Sequence, residues 1–118
     1  MTKLHWKQSF KKDISRKLKV SEEEYKKYLN THKIIYLQQA GNKLFSIVEN
    51  YLMLKYGERK KDYKSLFHMV KNNKNDRTLL RDAVQLHYFF YNGELDMPKF
   101  IAEDFYESVR NRMKNRLR

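Results

Sequence analysis

Cysteine is absent from this chain of 118 residues, which excludes a disulfide framework, a thiolate metal site and a cysteine nucleophile. Glycine occurs three times and proline once, so no glycine-rich loop exists to cradle a nucleotide's phosphates, which argues against a P-loop or Rossmann site. No apolar run approaches the roughly 20 residues of a membrane span. The N-terminal "MTKLHWKQSFKK" has no apolar leader segment, so the reading is cytoplasmic with no membrane contact. His5, His32 and His68 have no neighbours at metal-ligand spacing, and neither a metal nor another cofactor is expected.

What remains is apolar enough to fold, with 41% hydrophobic and 14% aromatic residues, and carries a formal charge of +12. One domain of common size accommodates this length. An excess of positive charge this large attracts polyanions, nucleic acid before membrane surface.

With few residues able to turn the chain, and apolar residues recurring at helical spacing, the fold class is all-α. Residues 1–20 hold seven Lys and Arg against one Asp and read as a basic amphipathic N-terminal arm or helix, with Leu4, Trp6, Phe10, Ile14 and Leu18 on one stripe. Ser21 and Glu24 have the form of a capping box, so a helix should start there and open a bundle domain over 21–118. It should reach about Ala40, be broken or bent at Gly41, and resume to a C-terminal cap at Gly57. A short helix follows from Tyr63 to Val70. The stretch "FHMVKNNKND" is a phosphate-binding turn or only a turn. Asp76 can cap a helix over roughly 77–92 that Gly93 ends, and Asp96 with Pro98 opens the last helix, with Ile101, Phe105, Val109, Met113 and Leu117 on one line.

Two segments carry the charge pattern expected of a nucleic-acid contact. In the arm these are Lys3, Lys7, Lys11, Lys12, Arg16 and Lys17, interleaved with Trp6, which could stack on a base. At the end of the last helix they are Arg110, Lys114 and Arg118.

The stretch "RDAVQLHYFFYNGE" sets Arg81 and His87 on one helix. Arginine holds phosphate bidentately and histidine moves protons near neutral pH, a combination suited to phosphodiester cleavage. Eight arginines and four histidines yield such a pair about once by chance, and six residues turn a helix by about 600°, which leaves the two side chains roughly 120° apart. They could share a phosphate only across a bend or between two subunits, and packing is the competing reading for His87. Four consecutive aromatics, Tyr88 to Tyr91, must cover all sides of a helix, so at least two belong to the core.

The ordered set "YLQQAGNKLFSIVENYLMLKYG", "DYKSLFHMV" and "LLRDAVQLHYFFYNGELD" with its closing helix resembles the archaeal PaREP group, within the wider HEPN superfamily. The resemblance covers about residues 22 to 117. It implies an up-and-down bundle of four to five helices that commonly dimerises, placing the Arg and His motifs of two subunits near one cleft. It further implies metal-independent endoribonuclease chemistry of toxin or defence type. Arg81 would then stabilise the charged phosphorane, Asp82 would be the polar residue after the arginine, and His87 would be the general acid or base.

Two functions follow as expectations. One is an RNA-directed HEPN-like protein with Arg81 and His87 at a cleavage site. The other is a non-catalytic helical module that binds nucleic acid or a protein partner. RNA is favoured over DNA, and a homodimer is expected. A nucleotidyltransferase-type antitoxin is the further partner considered.

Overall fold

A computed structural model describes residues 3–60 and 62–117, with side chains in the first helix described from Lys7 onward. Helix α1 spans Lys3–Thr31, α2 Ile34–Tyr56, α3 Tyr63–Met69, α4 Lys74–Asn92 and α5 Lys99–Arg116, with a single 3-10 turn at Gly93–Leu95 between the last two. No strand occurs among the described residues. Helices α1, α2, α4 and α5 run up and down as a bundle, and α3 is the connector that crosses from the end of α2 to the start of α4. The molecule extends 43 × 26 × 24 Å.

The core lies where the four apolar stripes meet. Leu44, Ile47, Val48 and Leu52 of α2, Leu79, Ala83, Leu86 and Phe89 of α4, and Ala102, Tyr106, Val109 and Met113 of α5 are essentially solvent-free. Their spacing of three and four residues puts each set on one helix face, and burial of these side chains is the main term favouring the fold. Leu66 of α3 is buried against the same core.

The helix start expected at Ser21 is not there, because α1 runs through that position without a break. Ser21 is fully buried. Its hydroxyl donates to the Ala40 carbonyl at 2.8 Å and lies 2.9 Å from the Tyr106 hydroxyl, which must therefore donate to it. The residue pins α1 to α2 and α5 instead of capping a helix. Residues 1–20 are likewise no separate arm over their described part. Ile14 is buried in the core, Phe10 and Leu18 pack against it, and Asn50 and Ser46 of α2 hydrogen-bond Asp13 and Lys17.

The two ends of α1 differ in company. Its C-terminal half lies on both α2 and α5, with the Tyr25 and Tyr106 rings stacked at 4.2 Å and Lys114 paired to Glu22 at 2.7 Å. The N-terminal half projects past the end of α5 and rests on α2.

Gly41 does not break α2, which runs through it from Ile34 to Tyr56. A Cβ there would sit 3.3 Å from the Leu86 Cβ, so glycine serves the close approach of α2 to α4. Gly57 does cap α2, with φ 70°, and Gly93 ends α4 with φ 56°. The cap of α4 is Asn73, whose side chain accepts from the Asp76 amide at 3.0 Å. Asp76 lies inside the helix, not ahead of it. Pro98, not Asp96, precedes α5, while Asp96 closes the 3-10 turn.

Candidate functional site

Arg81 and His87 leave α4 toward different neighbours. Arg81 is exposed, and its Nε lies 3.2 Å from Asp82 Oδ1. Asp82 faces α5, where Arg112 donates to its other oxygen at 2.6 Å. His87 faces α2 and α3 on the opposite flank. Its ring lies 4.6 Å from Phe45, 5.8 Å from Tyr63 and 4.9 Å from Tyr91. Within one chain the expected pair is not brought together, as the roughly 120° turn between positions six apart requires.

The His87 Nδ1 sits 2.9 Å from Oδ1 of the Asn42 side-chain amide. That oxygen only accepts, so Nδ1 carries the hydrogen and Nε2 the lone pair. Burial pushes the imidazole below its ordinary pKa, which favours the neutral, proton-accepting form at pH 7. The histidine is thus a packed residue whose Nδ1 is engaged by Asn42. Of the four aromatics around it, Phe89 is in the core and Phe90 is partly covered, whereas Tyr88 and Tyr91 are exposed, Tyr91 by 70%.

Glu49, one α2 turn beyond Phe45, joins this flank. Burial lifts its carboxyl to about 7, with only Lys17 opposing the shift, and its charge is felt by the Tyr63 hydroxyl, which burial has already raised. A glutamate inside the apolar run "LFSIVENYLM" was the available sequence signal for this residue. Nothing in the sequence marks Asn42 as the partner of His87, since the two are 45 residues apart.

The second constellation is electrostatic. Residues 1–20, 55–77 and 108–118 contain 20 of the 26 lysines and arginines and only 4 of the 14 acids. The up-and-down topology gathers the described residues of these segments at one end of the bundle. The Arg59 guanidinium lies over the Phe10 ring, Lys55 and Arg116 both pair with Asp76, and Leu117 shares a cavity with Lys11 and Lys55. On the same end, Lys60, Lys64, Lys71 and His68 line a cavity of about 290 Å³ between α3 and the preceding loop, with Glu58 the only acid. The sequence pointed to this region only through the polar run that follows His68.

The expected nucleic-acid residues divide between this end and internal roles. Lys11 and Lys12 are exposed. Arg16 and Lys17 both pair with Asp13, Lys114 pairs with Glu22, and Arg110 lies over the Tyr25 and Tyr106 rings. Lys7 comes within reach of Gly57. The side chains of Lys3 and Trp6, and all of Arg118, lie outside the described residues.

Among the described residues no group of His, Asp and Glu could hold a metal ion, and no helix is long and apolar enough to cross a membrane. No family model, curated protein or solved structure matches the chain, so the PaREP and HEPN resemblance rests on the quoted residues alone.

Proposed function

We propose that the chain is an RNA-binding helical module whose basic end tracks a phosphate backbone. The observation that carries this reading is the segregation of charge along the chain, 20 of 26 basic residues against 4 of 14 acids in three segments whose described residues meet at one end. Such a surface binds nucleic acid through counterion release, so affinity falls with salt in proportion to the phosphates contacted. The experiment measures the slope of log affinity against log salt for single-stranded RNA. Replacing Lys12, Lys64, Lys74 and Arg77 by Gln, all exposed positions, flattens it by roughly 3 units at about 0.7 per contact. An unchanged slope sinks the reading.

A second reading is favoured by the Asn42 to His87 bond, which leaves Nε2 as a base. In the HEPN-like endoribonuclease, Nε2 takes the proton of a ribose 2′-hydroxyl, the freed oxygen attacks the adjacent phosphorus, and the 5′-oxygen leaves with a proton from water. Arg81 must then come from a second copy, because the two side chains diverge within one. Labelled RNA in EDTA reports cleavage with 2′,3′-cyclic phosphate ends. His87→Ala and Arg81→Ala are each inactive, and their mixture recovers part of the activity if the site is shared between copies. RNA binding without cleavage by the unaltered chain leaves the binding module alone.

A further inference from the structure

The overhang of α1 past α5 opens a groove. It is a cavity of about 780 Å³ lined by Ile14 and Leu18 of α1, Tyr51 and Leu54 of α2, and Leu117 after α5, with Lys11 and Lys55 at its rim. The Lys55 ammonium is held 2.8 Å from Asp76, and Lys11 is exposed.

The far end of α5 is the opposite in charge. Residues 93–107 contain five acids and a single lysine, in a protein whose formal charge is +12. At this corner Leu95 is 97% exposed and Phe100 61%, flanked by the exposed Glu94, Asp96 and Asp104. An 18-residue helix separates this corner from Leu117 by about 27 Å, so one copy cannot close on itself.

We propose that the chain self-associates head to tail, with the acidic apolar corner of one copy seated in the basic apolar groove of the next. The two surfaces complement each other in polarity and in charge. Corner against corner would oppose Glu94, Asp96 and Asp104 to their own copies, and groove against groove would oppose Lys11 and Lys55 to theirs, arrangements that like charges disfavour. In an antiparallel pair each corner would fill the other copy's groove and association would stop at two; the head-to-tail contact instead leaves one corner and one groove open at every step, so it builds an open chain or a larger ring, and a mass that levels off at two copies overturns it. The inference does not depend on RNA binding.

The test uses the full chain freed of nucleic acid and followed by light scattering from low to high micromolar concentration. Average mass rises with concentration and falls with added salt, without a plateau at two copies. Two double variants on exposed positions isolate the surfaces: Leu95→Glu with Phe100→Ser spoils the corner, and Lys11→Glu with Leu117→Glu spoils the groove. Circular dichroism checks that both fold. Each alone is monomeric, and an equimolar mixture gives a one-to-one complex and nothing larger, because one variant keeps a groove and the other a corner. A chain that stays monomeric throughout overturns the proposal. So does a groove variant that still associates, or a mixture that does not.

Discussion

The carboxylate of Asp76, fully buried at the start of α4, is closed over by the Arg116 guanidinium from the last turn of α5, 2.5 Å away. Lys55 and the Tyr56 hydroxyl donate to the same group from α2 at 2.8 and 2.6 Å. One carboxylate therefore ties three helix ends together. Burial opposes its ionisation, and the hydrogen bonds from Lys55, Tyr56 and Arg116 outweigh burial and hold its pKa below the ordinary value. Asp76→Asn keeps the shape but strands two cations, at a cost of about 3 kcal/mol, read as a melting temperature roughly 10 °C lower near pH 7. Because the folded pKa is depressed, the stabilisation is present above the unfolded value of 3.8 and is lost as pH falls through the folded one. The gap between the two proteins should close in strong acid.

Glu49 runs the other way. Its carboxyl binds a proton up to about pH 7 when folded but only to 4.5 when unfolded, so stability falls as pH rises between those values. Thermal melts of Glu49→Gln and the unaltered chain should coincide at pH 4. The variant should melt higher by a margin that grows to pH 7 and is then constant. A constant difference across the range would refute an uncharged Glu49.

Gly41→Ala sets helix propensity against space. Alanine gains about 1 kcal/mol inside a helix, but its Cβ meets the Leu86 Cβ at 3.3 Å, an atom anchored to the backbone that cannot swing aside. Overpacking costs about 1 to 3 kcal/mol, so the net effect is a loss of about 1 kcal/mol. Gly41→Val, with its extra methyls, should lose more in denaturant titration.

Ile14→Ala reports whether the first twenty residues belong to the bundle. A core isoleucine truncated to alanine costs about 2 to 5 kcal/mol, whereas an exposed one in a separate arm would cost next to nothing. A melting temperature that does not move would argue for the arm.

Much of this fold was legible in the residues, and the errors share one cause. The apolar stripes of α4, α5 and the C-terminal part of α2 repeat at helical spacing and located those elements, with Gly57 and Gly93 marking two of their ends, whereas the turn at His32, with φ 59°, that separates α1 from α2 fell inside a stretch expected to be one helix. Local signals failed where tertiary contacts overrode them. Ser21 with Glu24 spells a cap, yet the Ser21 hydroxyl bonds Ala40 and Tyr106 from the middle of a helix. Gly41 spells a break, yet Leu86 requires it for closeness. The divergence of Arg81 and His87 followed from helix geometry, but Asn42, Arg112 and Lys55 enter through partners 21 to 45 residues distant, which no window along the chain connects.

The overhang of α1 divides one continuous helix into two mechanical regimes. Residues 21–28 are clasped by α2 and α5 through Ser21, Glu22 and Tyr25, so their amides should exchange through the largest openings of the bundle. Residues 8–13 rest on α2 and the loop that follows it, where Arg59 lies over Phe10, and have an outer face that meets water. A smaller, local opening suffices to release them, and their exchange protection should fall below that of the downstream turns by orders of magnitude. The boundary of the cooperative unit lies within a helix, between Ile14 and Ser21, with no loop to mark it.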